Sequence, residues 1–360
     1  MRLTAAFWRL LPAISIGVFA LTLGAVLASA GSTLGFDFLA YHSAASRVLE
    51  GKAAYDTSFQ GAGGFGLFYY PPTFIPLVLP FGLLGAGTAT WIWVGLLVAS
   101  FAIGTVLMPV SSRTQWLIVL LAGISWPFLY AVKLGQVGPL LYLLFAAGWR
   151  GIPEPMVVGV SGALGAAIKM QPGLILLWAL LTGRTRAVVY GLVVLGILAV
   201  MATILAGSQA WNDFFALIGR VSDPITTPHN FTPGAIAYQN GVSRDTAALF
   251  QYACMGLALV AFVTAALWLP AVPSYLVAVV ASQLLSPILW DHYALLLLLP
   301  VAWLMDRGWT WTVLIPLATS VVLVVFGFVP AFVYPAAFGV TLFALLAAGF
   351  QDRGRARPAF

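Results

Sequence analysis

The sequence predicts an all-α polytopic integral membrane protein, and three observations carry that prediction. Hydrophobic residues fill 62% of the 360 positions and charged residues only 7%, far below the roughly one-quarter charged share of soluble domains. Apolar runs of about 20 residues, the length that crosses a bilayer core as a helix, recur from end to end. The sixteen Lys and Arg stand singly at the ends of those runs. The net charge of +6 is therefore a topology signal and points away from nucleic acid.

Taken in order, apolar runs bounded by charge, Pro and Gly place helices near 10–30, 71–86, 88–109, 116–132, 136–149, 156–182, 187–206, 247–269, 273–287, 291–305, 309–327 and 331–350. That is about twelve crossings, with a range of roughly 11–13. The first run follows Arg2 and Arg9 and ends in small residues near Ala28-Ser29-Ala30, as a signal peptide does; it is long enough to span and is read as an uncleaved helix. The helices flanking Lys133-Leu134-Gly135-Gln136 are short, so half-helices meeting inside the membrane are expected there. The single Cys254 excludes an intrachain disulfide and is read as a small packing residue.

Arg2, Arg9, Arg184, Arg186, Arg307, Arg353, Arg355 and Arg357 are expected to face the cytoplasm, which puts both termini inside. The two long polar connections, about 31–70 and 207–246, then fall on the outer face. Arg113 and Arg150 fall there too, against the rule, unless 71–170 contains a re-entrant pair. No linker, repeat or soluble domain interrupts the chain, so residues 1–360 are read as a single membrane domain whose chemistry is assembled from the outer loops and helix ends.

In the first loop, Gly35 to Gly51 has helical spacing with Gly51 as a C-terminal stop, and Asp37, Tyr41, Ala45 and Val48 share one face. Asp37 has two readings: an N-cap for this interfacial helix, or a partly desolvated carboxylate of raised pKa that takes a proton from a sugar hydroxyl. The aromatic stretch Phe68-Tyr69-Tyr70-Pro71-Pro72 suits either an interfacial belt or stacking on sugars and prenyl chains. Lys133 with Gln136, and Lys169 in Lys169-Met170-Gln171-Pro172, interrupt apolar runs. A lysine there costs a few kcal/mol and is retained most often for an anion, phosphate being the obvious one; snorkelling explains Lys133 more readily than Lys169.

The second loop holds an amphipathic stretch over 211–218, then His229, Asn230, Gln239 and Asn240, groups that can hydrogen-bond sugar hydroxyls. Near the last loop, Ser286-Pro287 and Trp290-Asp291-His292 form a proline-broken junction, with one of three histidines in either a structural or a site role. No Asp-x-Asp, His-x-x-x-His or Cys-x-x-Cys spacing points to a metal, and Gly61 to Gly66 lacks the Lys and setting of a P-loop. No cofactor is expected.

In order, Asp37, Tyr41, Ala44-Ala45, Leu49-Glu50-Gly51, Tyr55-Asp56, Tyr70-Pro71-Pro72 with Pro80 to Leu84, Gly135-Gln136, Lys169-x-x-Pro172 and Ser286-Pro287-x-x-Trp290-x-His292 resemble glycosyltransferase family 87. These are bacterial mannosyltransferases of the GT-C fold that use polyprenyl-phosphate-mannose. The resemblance runs over about 35–300. It implies an inverting transfer of a hexose, most simply mannose, from the lipid-linked donor to a glycolipid or glycan hydroxyl at the outer face of the plasma membrane, with Asp37 as general base.

On this reading Lys169, His292, Gln136 and Tyr41 serve the donor and its phosphate, and Tyr70, Trp290 and Asn240 the sugar or acceptor. Gln239-Asn240-Gly241-Val242-Ser243 and Asp291 depart from the family pattern. A lipid or solute transporter is the alternative for intramembrane lysines on broken helices, although no repeated halves are visible.

Overall fold

The computed structural model describes residues 2–58, 66–220 and 223–355. Most of the glycine-rich stretch 61–66 and the tail residue Arg357 lie outside the described residues. The helices of eight residues or more, apart from the seven-residue α11, run in this order: α1 (Arg2–Ser29), α2 (Phe36–Leu49), α3 (Ala86–Leu107), α4 (Ser112–Ile124), α5 (Trp126–Leu134), α6 (Gly138–Arg150), α7 (Pro155–Ile168), α8 (Leu174–Leu181), α9 (Thr185–Ala206), α10 (Gln209–Arg220), α11 (Pro233–Gln239), α12 (Arg244–Trp268), α13 (Ala271–Leu284), α14 (Leu298–Asp306) and α15 (Val333–Arg355).

Among the described residues, five helices are long and apolar enough to cross a membrane alone: Trp8–Ser29 within α1, then α3, α9, α12 and Val333–Gly354 within α15. The pair α5 and α6, bent by 117°, makes a sixth if it counts as one span. The expected interruption at Lys133 to Gln136 is present, and it lies in the region where Arg113 and Arg150 already called for one. Twelve full crossings are not present as continuous helices.

The reason is proline, which a hydropathy run does not register. Continuing a helix through Pro172 would drive its ring into the carbonyl of Ile168, and the expected helix 156–182 breaks there, with Lys169 extended at φ −140° and ψ 140°. The run 116–132 likewise stops at Ile124 and restarts at Trp126, with Ser125 extended and Pro127 following. The run 71–86 is a series of short turns from Pro72 to Leu83. The run 291–305 opens as a 3₁₀ helix over Asp291–Leu297, and 309–327 falls into pieces of four or five residues. At about 1.5 Å per residue these segments fall well short of a 30 Å hydrocarbon core.

Long and broken elements occupy different places. Helices α9 and α12 leave most of their large apolar side chains exposed, Leu192, Ile204, Leu249 and Leu257 among them. Helix α13, by contrast, is buried without interruption from Pro273 to Gln283. An aromatic cluster anchors the first loop to the bundle: Phe38 stacks on Trp93 with ring centroids 5.0 Å apart, and Tyr41 meets Tyr70 edge-on at 4.7 Å. Truncating rings packed this tightly costs about 3–5 kcal/mol each.

Candidate active site

Two glycines set the position of Asp37. Gly35 starts α2 with φ +73°, and its N–H donates to the Lys133 carbonyl at 2.8 Å. Gly135, with φ +71°, turns the corner between α5 and α6, and a Cβ there would lie 2.6 Å from Phe38 Cβ. Only glycine combines this backbone with so close an approach. The first turn of α2 therefore seats directly on the α5–α6 corner.

Asp37 does not act as the N-cap of α2. That position belongs to Gly35, and no side chain caps the helix. Instead Gln136 Nε2, from the corner, donates to Asp37 Oδ2 at 2.6 Å. Gln136 Oε1 in turn accepts from the Tyr70 hydroxyl at 3.1 Å, and Tyr70 and Tyr41 share a hydrogen bond of 2.6 Å. Tyr70 has spent its only proton on Gln136, so Tyr41 is the donor in that pair, and the chain Tyr41, Tyr70, Gln136, Asp37 runs one way into the carboxylate. Asp37 Oδ1 has no hydrogen bond among the described residues. Burial raises the Asp37 carboxyl above its ordinary value, against the opposing pull of nearby His292, the Gln136 hydrogen bond and Lys169, with Asp291 adding to the rise.

Lys169 occupies the break between α7 and α8. Its Nζ donates to the Tyr293 hydroxyl at 2.8 Å and lies over the rings of Tyr293 and Tyr70, 4.3 and 5.5 Å from their centroids. No carboxylate is within ion-pair distance of it among the described residues. Gln171, two residues on, donates to Ser286 Oγ at 3.0 Å, which ties this break to the proline-broken junction before His292. Lys133 is half-buried, its Nζ 5.9 Å from the Tyr130 ring centroid.

His292 is buried, and its ring packs against Tyr293 at 5.1 Å and parallel to Trp290 at 6.4 Å. Among the expected site residues, Asp37, Tyr41, Tyr70, Gln136, Lys169, His292 and Trp290 thus belong to one connected cluster. Asn240 does not join it: the residue is exposed, and its Nδ2 turns back to the Ile236 carbonyl at 2.8 Å, closing α11. Asn230 is also spent on structure, holding the Leu289 N–H on its Oδ1 at 2.9 Å and donating to the Pro287 carbonyl at 3.1 Å. It fixes the junction that presents His292. Helix α10 is amphipathic as expected, with Phe214 and Leu217 buried and Phe215 and Ile218 exposed.

Two residues that sequence reasoning passed over complete the site. Tyr293 follows His292 and was visible as the polar neighbour of a candidate. Trp126 gave a fainter signal, an aromatic before Pro127 in the middle of a supposed helix; its indole N–H donates to Asp291 Oδ2 at 3.0 Å. Among the described residues, no group of three or more His, Cys, Asp or Glu is placed to hold a metal ion.

A family model, glycosyltransferase family 87, matches residues 68–290, more than half of the chain. No curated protein and no solved structure matches. The matched stretch contains Tyr70, Gln136, Lys169 and Trp290 and stops short of Asp37, Tyr41 and His292, which the hydrogen bonds and ring contacts above connect to it.

Proposed function

The chain belongs to glycosyltransferase family 87, and from that premise we propose that it transfers a hexose, mannose on the family pattern, from a polyprenyl-phosphate donor to an acceptor hydroxyl, with inversion. Asp37 is the general base. Its free Oδ1 takes the proton of the acceptor hydroxyl as that oxygen attacks the anomeric carbon of the β-linked hexosyl phosphate. One carbon–oxygen bond forms to the acceptor, and the carbon–oxygen bond to phosphate breaks on the opposite face. The products are an α-glycoside and polyprenyl phosphate, whose charge falls to Lys169 and His292.

The observation that carries this reading is the pairing of a carboxylate with one unoccupied oxygen and a half-buried lysine without a counter-ion, in a single cluster. A cation held away from water without a carboxylate is costly unless an anionic substrate completes it. Tyr41, Tyr70 and Gln136 hold the base, and Trp290 lies where a sugar can stack beside His292. On this reading the site opens to the outer face of a bacterial plasma membrane, with both termini cytoplasmic and the donor arriving from the bilayer.

The test is release of polyprenyl phosphate by the purified protein from a polyprenyl-phosphate-mannose donor, in the presence of a membrane glycolipid extract. Acceptor-dependent release is expected, with one hexose added to the acceptor mass. A protein that moves the donor across a vesicle membrane intact, without releasing polyprenyl phosphate, is a transporter and overturns the proposal.

A further inference from the structure

His292 is only 4% exposed, yet neither ring nitrogen makes a hydrogen bond among the described residues. A buried imidazole left in that state loses the hydration of two polar atoms, a cost of about 1–3 kcal/mol for each unsatisfied group. Such an arrangement is retained where a ligand supplies the missing partner.

The surroundings of the ring are built with more care than the ring's own bonding suggests. Nδ1 lies 3.4 Å from Asp291 Oδ1, within ion-pair reach though not aligned as a hydrogen bond. The Asp291 carboxylate is itself fixed at both oxygens, with Oδ1 accepting the His292 backbone N–H at 2.7 Å and Oδ2 the Trp126 indole N–H at 3.0 Å. Trp126 is held in turn, its backbone N–H donating to the Thr319 carbonyl at 3.0 Å and its ring stacked on Tyr130 at 4.8 Å. Three separate segments therefore converge to place one carboxylate beside one imidazole nitrogen.

We infer that Asp291, steadied by Trp126, is a positioning residue that turns His292 Nε2 toward the phosphate of the lipid-linked donor. With Nδ1 facing the Asp291 carboxylate, Nε2 is left on the far side of the ring as the nitrogen that can meet a phosphate oxygen. The charged and titratable groups around the ring are Asp291, Asp37, Lys169, Tyr130 and Tyr293. Of these, Asp291 alone lies within ion-pair distance of a ring nitrogen. The inference rests on the donor reading above, but the assignment of Asp291 and Trp126 is independent of which sugar is carried.

The sign of the expected effect separates this role from plain electrostatics. A carboxylate beside a phosphate repels it, so removing the Asp291 charge would tighten phosphate binding if the residue acted only through its own charge. A positioning residue predicts the opposite.

The experiment measures calorimetric binding of farnesyl phosphate to the full-length protein in detergent. Asp291→Asn is expected to bind about tenfold more weakly than wild type, the loss of about one hydrogen bond to a charged group, and Asp291→Glu, which keeps a carboxylate beside the ring, to recover most of that loss. The effect should vanish in a His292→Ala background, because the two changes act through one contact.

Should Asp291→Asn not fold, Trp126→Phe retains the charge and carries the same test, with weakening of about threefold that likewise vanishes beside His292→Ala. Unchanged or tighter binding in either variant, or equal weakening in the His292→Ala background, overturns the inference. If wild type binds farnesyl phosphate and Lys169→Ala weakens it while Asp291→Asn does not, only this inference fails. If wild type does not bind it, the donor reading fails with it.

Discussion

Helix α9 and the bent pair α5–α6 cross comparable stretches of apolar sequence and come out opposite. Helix α9 is 22 residues without a break, with Leu192, Val200 and Ile204 exposed along it. The bent pair spans Trp126 to Arg150, turns by 117° at Gly135, and holds Gln136 at the turn against Asp37. The same contrast repeats at the Lys169 break and at the 3₁₀ helix that carries His292. A helix in lipid satisfies its own backbone and has little to offer a substrate; an interrupted one exposes polar groups that are tolerated only beside protein or a cavity. In this chain Gln136, Lys169 and His292 sit at interruptions, Asp37 lies on the short helix α2 that seats against one of them, and the long continuous helices form the frame around them.

If that contrast is right, substitutions should divide by place. Asp37→Asn is expected to lower turnover about 10³-fold, the loss of a general base, with farnesyl phosphate binding retained; initial rates and calorimetry on the same preparation check both. Lys169→Ala should weaken binding of the same phosphate by about 10–100-fold, as for a lost hydrogen bond to a charged group. Tyr70→Phe removes the proton that Gln136 Oε1 accepts and should cost about threefold in turnover, read in the same rate assay. At the other extreme, Leu192→Ala on the exposed face of α9 should change unfolding free energy by no more than about 0.5 kcal/mol and leave turnover unaltered. A large catalytic effect at Leu192, or a negligible one at Lys169, would break the division between frame and site.

The sequence made the two kinds of region unequally legible. The long spans were visible because composition alone defines them, and 187–206 and 247–269 coincide closely with α9 and α12. The broken segments shared the same hydropathy, so 156–182 read as one helix although Pro172 already forbade it. At the site, Asp37, Gln136 and Lys169 stood out as polar residues in apolar surroundings, a signal that survives in one dimension. Their partnership did not, because the bond between Asp37 and Gln136 joins residues 99 positions apart. Asn240 misled for the converse reason: a polar side chain in a loop looks available for a sugar, while its own helix end had already claimed it. Trp126 was hidden because an indole in a membrane helix reads as packing until its N–H is seen on Asp291.

The claim that binds these observations is that Asp37 titrates as the base under the control of Gln136, reached across the break. Because the base must be ionised, turnover should fall as pH falls through the Asp37 value, which burial places above the ordinary carboxylate range and the Gln136 hydrogen bond holds down. The most direct measurement is the pH–rate profile of Gln136→Leu beside wild type. Loss of that hydrogen bond disfavours the charged form, so the acid limb is predicted to move to higher pH. An acid limb that stays in place, or moves to lower pH, would contradict the assignment of Asp37 as the group that turns the enzyme on.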